Sequence, residues 1–194
     1  VWAGRLVSLL WNIRYTVNQG KICRMIPKTL LVVLAHPDDE SFSIGGTLAK
    51  SVAEGSHVHL VVATRGEAGI PGKDAAETAF IREDELRRAC AELGIQQLTF
   101  LDFVDGKLDA VQDDLGISSI LTLMRQSRPD VVVTFGPDGI SGHPDHIAVN
   151  RWTTAAFDLH QQTIDYGQRL YYIAPSEATQ QGCSIPPSAE VVGG

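Results

Sequence analysis

Residues 36–40 read His-Pro-Asp-Asp-Glu, which places one imidazole and three carboxylates on five consecutive positions, at His36, Asp38, Asp39 and Glu40. Carboxylates packed this densely repel one another and require a positive partner, and a metal ion is the simplest one. A second cluster, Ser141-Gly142-His143-Pro144-Asp145-His146, adds two imidazoles and another carboxylate. Nitrogen and oxygen donors of these kinds are the set that zinc takes. A hydrolytic metal site needs three protein ligands, one position open to water, and a carboxylate off the metal to take the water's proton. Adjacent aspartates on a turn point in different directions, so Asp38 and Asp39 can divide ligation and proton transfer. Residue type does not say which does which.

Such clusters act together only if the fold brings them together. Residues 29–35 form an unbroken apolar run, and 57–64, 97–101 and 130–135 are further strand-like runs, with a short last one at 170–173. Runs of this kind suit strands covered on both faces. Residues 44–55, 76–93, 117–126 and 145–159 read as helices, and Gly55 and Gly94 supply stop signals. Residues 65–75 and 136–144 are Gly-rich loops, and 106–114 is a polar connection. The alternation predicts an α/β fold, a mostly parallel sheet with helices on both faces. Ligands bind such sheets beyond the carboxyl ends of the strands. Both clusters fall there, after the first and fourth strands, and would face each other if those strands are neighbours.

The 194 residues suit one domain, and 44% apolar with 20% charged residues is the balance of a soluble globular protein. A formal net charge of −7 gives no basic field for nucleic acid. No apolar stretch reaches the length of a membrane span. Cys23, Cys90 and Cys183 are far apart, odd in number and without a CxxC, which predicts reduced thiols in a cytoplasmic protein. Residues 1–24 precede a natural-looking start at Met25 and read as an extension, with 1–11 a candidate amphipathic helix or part of a targeting segment. Residues 25–175 form the expected domain, and 176–194 an irregular tail.

AHPDDE, then TRGEAG after the second strand, then GHPDH after VVVTFGPDG, together resemble the LmbE/PIG-L family of zinc-dependent N-acetylglucosamine deacetylases. The resemblance runs from about Lys28 to Leu159. It implies a Rossmann-like fold and one divalent ion, usually zinc, with iron an alternative. It also implies hydrolysis of an acetamide on a small sugar conjugate, with assembly into an oligomer open. By motif position, His36, Asp39 and His146 resemble the metal ligands. Asp38 resembles the general base, and His143 the group that supports the oxyanion or protonates the leaving amine. Arg65 and Glu67 would line the substrate pocket. Some relatives carry an aromatic hydroxyl where this chain has Ser141. The rival readings are an amidase of thiol conjugates on the same scaffold, or a non-catalytic sugar-binding protein.

Other features have plainer readings. Asp145 is expected to cap a helix or orient a histidine, and Glu40 to be structural. His57 and His59 alternate on a strand and read as strand-face or core residues. The charge run from Arg82 to Arg88 reads as a solvated helix face, with Arg82 or Glu85 an alternative brace for the active-site loop. Gly45-Gly46 belongs to no phosphate-loop motif.

Overall fold

The structure is a computed structural model that describes residues 28–174 and, for 14–18 and 21–25, the course of the backbone. The candidate helix at 1–11 and the tail at 176–194 lie outside the described residues, as do the side chains of Cys23 and Cys183. Strands β1 (Arg14–Asn18) and β2 (Lys21–Met25) form an antiparallel pair of their own. Reading 1–24 as a plain extension missed this pair. Its signal was the alternation of Tyr15, Val17 and Ile22 with polar residues around Gly20.

Among the described residues the main sheet has five strands: β3 (Thr29–Leu34), β4 (His57–Val62), β5 (Gln97–Phe100), β6 (Val131–Phe135) and β7 (Arg169–Ile173). Their order is β5-β4-β3-β6-β7, and every pairing is parallel. The expected parallel α/β sheet is therefore present. The central strand β3 is the apolar run that precedes the HPDDE cluster, and Leu31, Val32, Val33 and Leu34 have no exposed surface.

Four long helices among the described residues cover the sheet: α1 (Gly45–Ala53), α2 (Ala75–Leu93), α3 (Asp113–Ser127) and, after the four-residue α4 (Gly139–Gly142), α5 (Pro144–Gln161). From β3 the chain moves outward through β4 and β5, then crosses back to β6 and β7. Right-handed crossovers in opposite directions place α1 and α2 on one face and α3 and α5 on the other. Accordingly α1 packs on α2 and β4, while α5 packs on α3, β3 and β6. Local chemistry sets the helix ends. Asp74 caps α2 by accepting from the backbone N–H groups of Ala76 and Glu77, and Gly94 ends it at φ 72°.

The crossing leaves a crevice between β3 and β6, where ligands bind in sheets of this order. Val32 lies opposite Val133, and each strand runs two residues further, so the loops after Leu34 and Phe135 leave at one level. The predicted helix at 44–55 is preceded by a π-helical turn, Glu40–Ile44, that starts at the last residue of the cluster. Among the described residues no helix is long and apolar enough to cross a membrane. Cys90 is free and buried, and burial pushes its thiol pKa up to about 11.

Candidate metal centre

The first loop folds back on itself. The backbone N–H of His36 donates to Asp39 Oδ2 at 2.8 Å, which turns this carboxylate inward. Asp38, between them, has φ 99°, an uncommon backbone for a side chain other than glycine. Two contacts hold it there. Its N–H donates to Glu40 Oε2 at 3.1 Å, and its carboxylate accepts from Arg82 Nη2 at 2.6 Å. Glu40 is buried and also accepts from Ser41 Oγ, the structural role expected of it.

The second loop carries His146 into the same crevice on the first turn of α5. Its ring stacks on Phe135, with centroids 4.0 Å apart and planes 3° apart. Nδ1 lies 3.1 Å from the Gly139 carbonyl oxygen. A carbonyl only accepts, so Nδ1 carries the hydrogen and Nε2 presents a lone pair. His36 is fixed in the opposite sense. Its Nε2 lies 3.0 Å from Asp105 Oδ1 and 3.1 Å from Asp145 Oδ2, so Nε2 donates and Nδ1 faces the crevice.

His36 Nδ1 and His146 Nε2 are 3.3 Å apart. Asp39 Oδ1 is 3.3 Å from the latter, and Oδ2 is 3.6 Å from the former. Two ring nitrogens and a carboxylate thus converge, a juxtaposition that a bound cation, or a proton on His36 Nδ1, relieves. The surrounding carboxylates favour positive charge here. Burial lowers the His36 pKa, but the carboxylates of Asp105, Asp39 and Asp145 outweigh it and raise the value to about 9. Burial pushes Asp39 up, and His146 and His36 outweigh it to hold this carboxyl below its ordinary range. His36, Asp39 and His146 form one group of geometry fit for a metal, and His36, His143 and Asp145 form another. The first is the better cradle. Asp145 is already engaged by three donors, accepting from Gly106 N–H at 2.7 Å and Leu108 N–H at 3.1 Å as well as from His36.

A cavity of about 270 Å³ opens over this group, lined by His36, Asp38, Arg82, Asp105 and His143 among others. Asp38 is half-exposed to it; burial raises its pKa and Arg82 opposes the rise. His143 accepts from the Asp145 N–H through Nδ1, and its ring lies 4.8 Å from that of His146. Burial, then His36 and His146, lower its pKa.

Of the residues singled out in the sequence, His36, Asp38 and His143 line this cavity, and Asp39 and His146 meet His36 at its edge. Arg65 and Glu67 sit beside it. Arg65 pairs with Asp102 at 2.7 Å and with Glu83, and its guanidinium lies over the Phe100 ring. Glu67 Oε1 accepts from the Asp105 N–H at 2.8 Å. Asp145 orients His36, as expected. Arg82 is no solvated-face residue. It reaches Asp38 and the Pro37 carbonyl, so the brace was the right alternative. A Cβ on Gly69 would fall 2.1 Å from Arg82 Nη1, and one on Gly66 2.9 Å away, so a side chain at either position would displace the Arg82 guanidinium. His59 is buried against Thr99 and joins no metal group among the described residues. Asp105 was missed. Its one signal was a carboxylate just beyond the carboxyl end of the third strand, at the same sheet edge as both clusters.

Residues 31–157 match the family model described as GlcNAc-PI de-N-acetylase (PIG-L). The chain is 34% identical over 186 residues to a 1D-myo-inositol 2-acetamido-2-deoxy-alpha-D-glucopyranoside deacetylase of Thermobispora bispora, covering 83% of this chain and 62% of that one. It is 36% identical over 195 residues to a protein of the same description from Mycobacteroides abscessus, covering 86% and 69%. Among solved structures, N,N'-diacetylchitobiose deacetylase from Pyrococcus horikoshii aligns with a TM-score of 0.65 and 23% identity, over 75% of this chain and 60% of that one, a likeness of fold. The chain spans about half to two thirds of the length of the curated relatives it matches.

Proposed function

This chain belongs to the PIG-L family, and from that premise we propose that it is a zinc-dependent N-deacetylase. It removes the acetyl group from an N-acetylglucosaminyl compound and releases acetate and a free amine. The observation that carries the reading is the convergence of His36 Nδ1, His146 Nε2 and the Asp39 carboxylate, with the Asp38 carboxylate beside them and outside the group. When bound, a zinc ion supplies Lewis acidity to the amide carbonyl and lowers the pKa of water toward about 7. His36, Asp39 and His146 would hold it, and their donor types suit zinc better than magnesium or calcium.

The other groups then divide the proton traffic. Asp38 takes the proton of the attacking water, and Arg82 keeps its carboxylate aimed into the cavity. His143, across the cavity, supports the developing oxyanion and delivers a proton to the leaving nitrogen. Asp145 and Asp105 hold the His36 ring so that Nδ1 stays free for the ion. The test is amine release from a panel of N-acetylglucosamine conjugates after chelation and stepwise return of metal. Activity that disappears with chelator and returns with zinc is expected. Stoichiometric metal binding with no amine from any conjugate would overturn the assignment.

A further inference from the structure

A second cavity, of about 280 Å³, lies beside the metal pocket, lined by Arg65, Glu67, Ala76, Ala79, Phe103 and Val104 among others. The two meet where two loops touch. Glu67 and Val104 line one cavity, and their chain neighbours Ala68 and Asp105 line the other. The wall between them is pinned by two hydrogen bonds: Ala68 N–H donates to the Asp105 carboxylate at 3.0 Å, and Asp105 N–H donates to Glu67 Oε1 at 2.8 Å. A ligand seated over His36 and Asp38 thus has the second cavity one residue's width away.

Its lining favours one kind of group. Alanine methyls from the first turns of α2, the Phe103 ring and the exposed Val104 side chain make an open apolar surface. The charges beside it offer nothing to an anion. The Arg65 guanidinium is taken up by Asp102 and Glu83, and Glu67 adds a further carboxylate. We propose that this cavity is the aglycone subsite of the deacetylase. It receives a neutral, apolar-faced group attached to the acetamido sugar and disfavours a phosphate-bearing one. The assignment of an aglycone rests on the deacetylase reading above.

Three probes test it on the metal-loaded protein: methyl N-acetylglucosaminide, 4-nitrophenyl N-acetylglucosaminide and N-acetylglucosamine 1-phosphate. Each is followed by titration calorimetry and by amine release. The nitrophenyl glycoside is expected to bind about tenfold more tightly than the methyl glycoside, the scale of burying one aromatic face, and the phosphate more weakly than either. Ala79→Phe, which fills the cavity, should bring the nitrophenyl-to-methyl ratio to about one. Should that variant fold poorly, Ala76→Leu on the exposed first turn asks the same question. Equal binding of the two glycosides by the unaltered protein, or a ratio that survives filling, would overturn the subsite. Nitrophenyl preference without amine from any probe would support the cavity's selectivity and retire the deacetylase. Amine from all three without preference would retire the subsite alone.

Discussion

Asp145→Asn separates the support of the proposed metal site from its proposed ligands. Three N–H donors converge on this buried carboxylate: Gly106 N at 2.7 Å and His36 Nε2 at 3.1 Å on Oδ2, and Leu108 N at 3.1 Å on Oδ1. Asparagine has a single carbonyl oxygen. Its best placement keeps the first two bonds and turns its NH₂ toward the Leu108 N–H, donor against donor. Leaving a buried donor unpaired costs about 1–3 kcal/mol, or a fall in Tm of roughly 3–10 °C for a domain of this size. Behind His36 the negative charge is also lost. Removing such a backing group weakens metal binding about 10–100-fold. Asp105 still holds Nε2 at 3.0 Å, so the loss should sit near the lower figure. Melting is measured in chelator, so that metal linkage does not enter the Tm, and zinc affinity by competition with a chromophoric chelator. Wild-type zinc affinity in Asp145→Asn would refute the backing role. An unchanged metal-free Tm would refute the convergence of the three donors.

Three further outcomes follow from the same geometry. Asp38→Asn should keep the fold, since asparagine tolerates φ 99°, and should keep near-stoichiometric metal while losing about 10²–10⁴-fold in kcat. Asp39→Asn should weaken the metal and regain activity with excess ion; metal analysis of both variants decides, and the reverse pattern would exchange the two roles. Burial, with His57 nearby, lowers the His59 pKa to about 4, below the unfolded value near 6.5. The unfolded chain therefore takes up a proton first as pH falls from 6.5 toward 4, and stability drops by at most about 1.4 kcal/mol per pH unit. Urea unfolding at pH 7 and pH 5 should show that slope flattened in His59→Leu. Gly116→Ala on α3 would set a Cβ 2.1 Å from Trp152 Cδ2 on α5, and the overpacking should cost about 1–3 kcal/mol in chemical denaturation; no change would mean that the two helices slide apart freely.

Strands and helices were legible because each carries its signal locally. The run at 30–34 is apolar throughout since β3 is covered on both faces, and Asp74 and Gly94 mark the ends of α2 in the sequence itself. Strand order is not local. That β6 lies beside β3, with β4 on its other side, depends on the long crossing after β5. Local pattern also hid the π-helical turn at Glu40–Ile44. A wider turn and an α-helical turn present the same residue types, and the contact at its start, Glu40 reaching back to the Asp38 N–H, is a side-chain bond that no periodicity reveals.

The same division explains which site residues could be read. Ligands cluster in sequence because a short loop can aim several side chains at one point. Their supports are drawn from elsewhere, since a ring held on one nitrogen needs its partner on the far side. His36, from the loop after β3, is backed by Asp145 from the start of α5 and by Asp105 from the loop after β5. Asp38 is held by Arg82 of α2. His146 is turned by the Gly139 carbonyl of its own loop. Neither cluster therefore makes the proposed metal site alone. The first lacks a partner for His36 Nε2, and without one the ring is free to present either nitrogen. The second has an Asp145 carboxylate that closes its shell with a histidine from the first. Asp105 and Arg82 sit in ordinary contexts, a turn and a charged helix, and only the packing of β5 and α2 against the first loop makes them part of the centre.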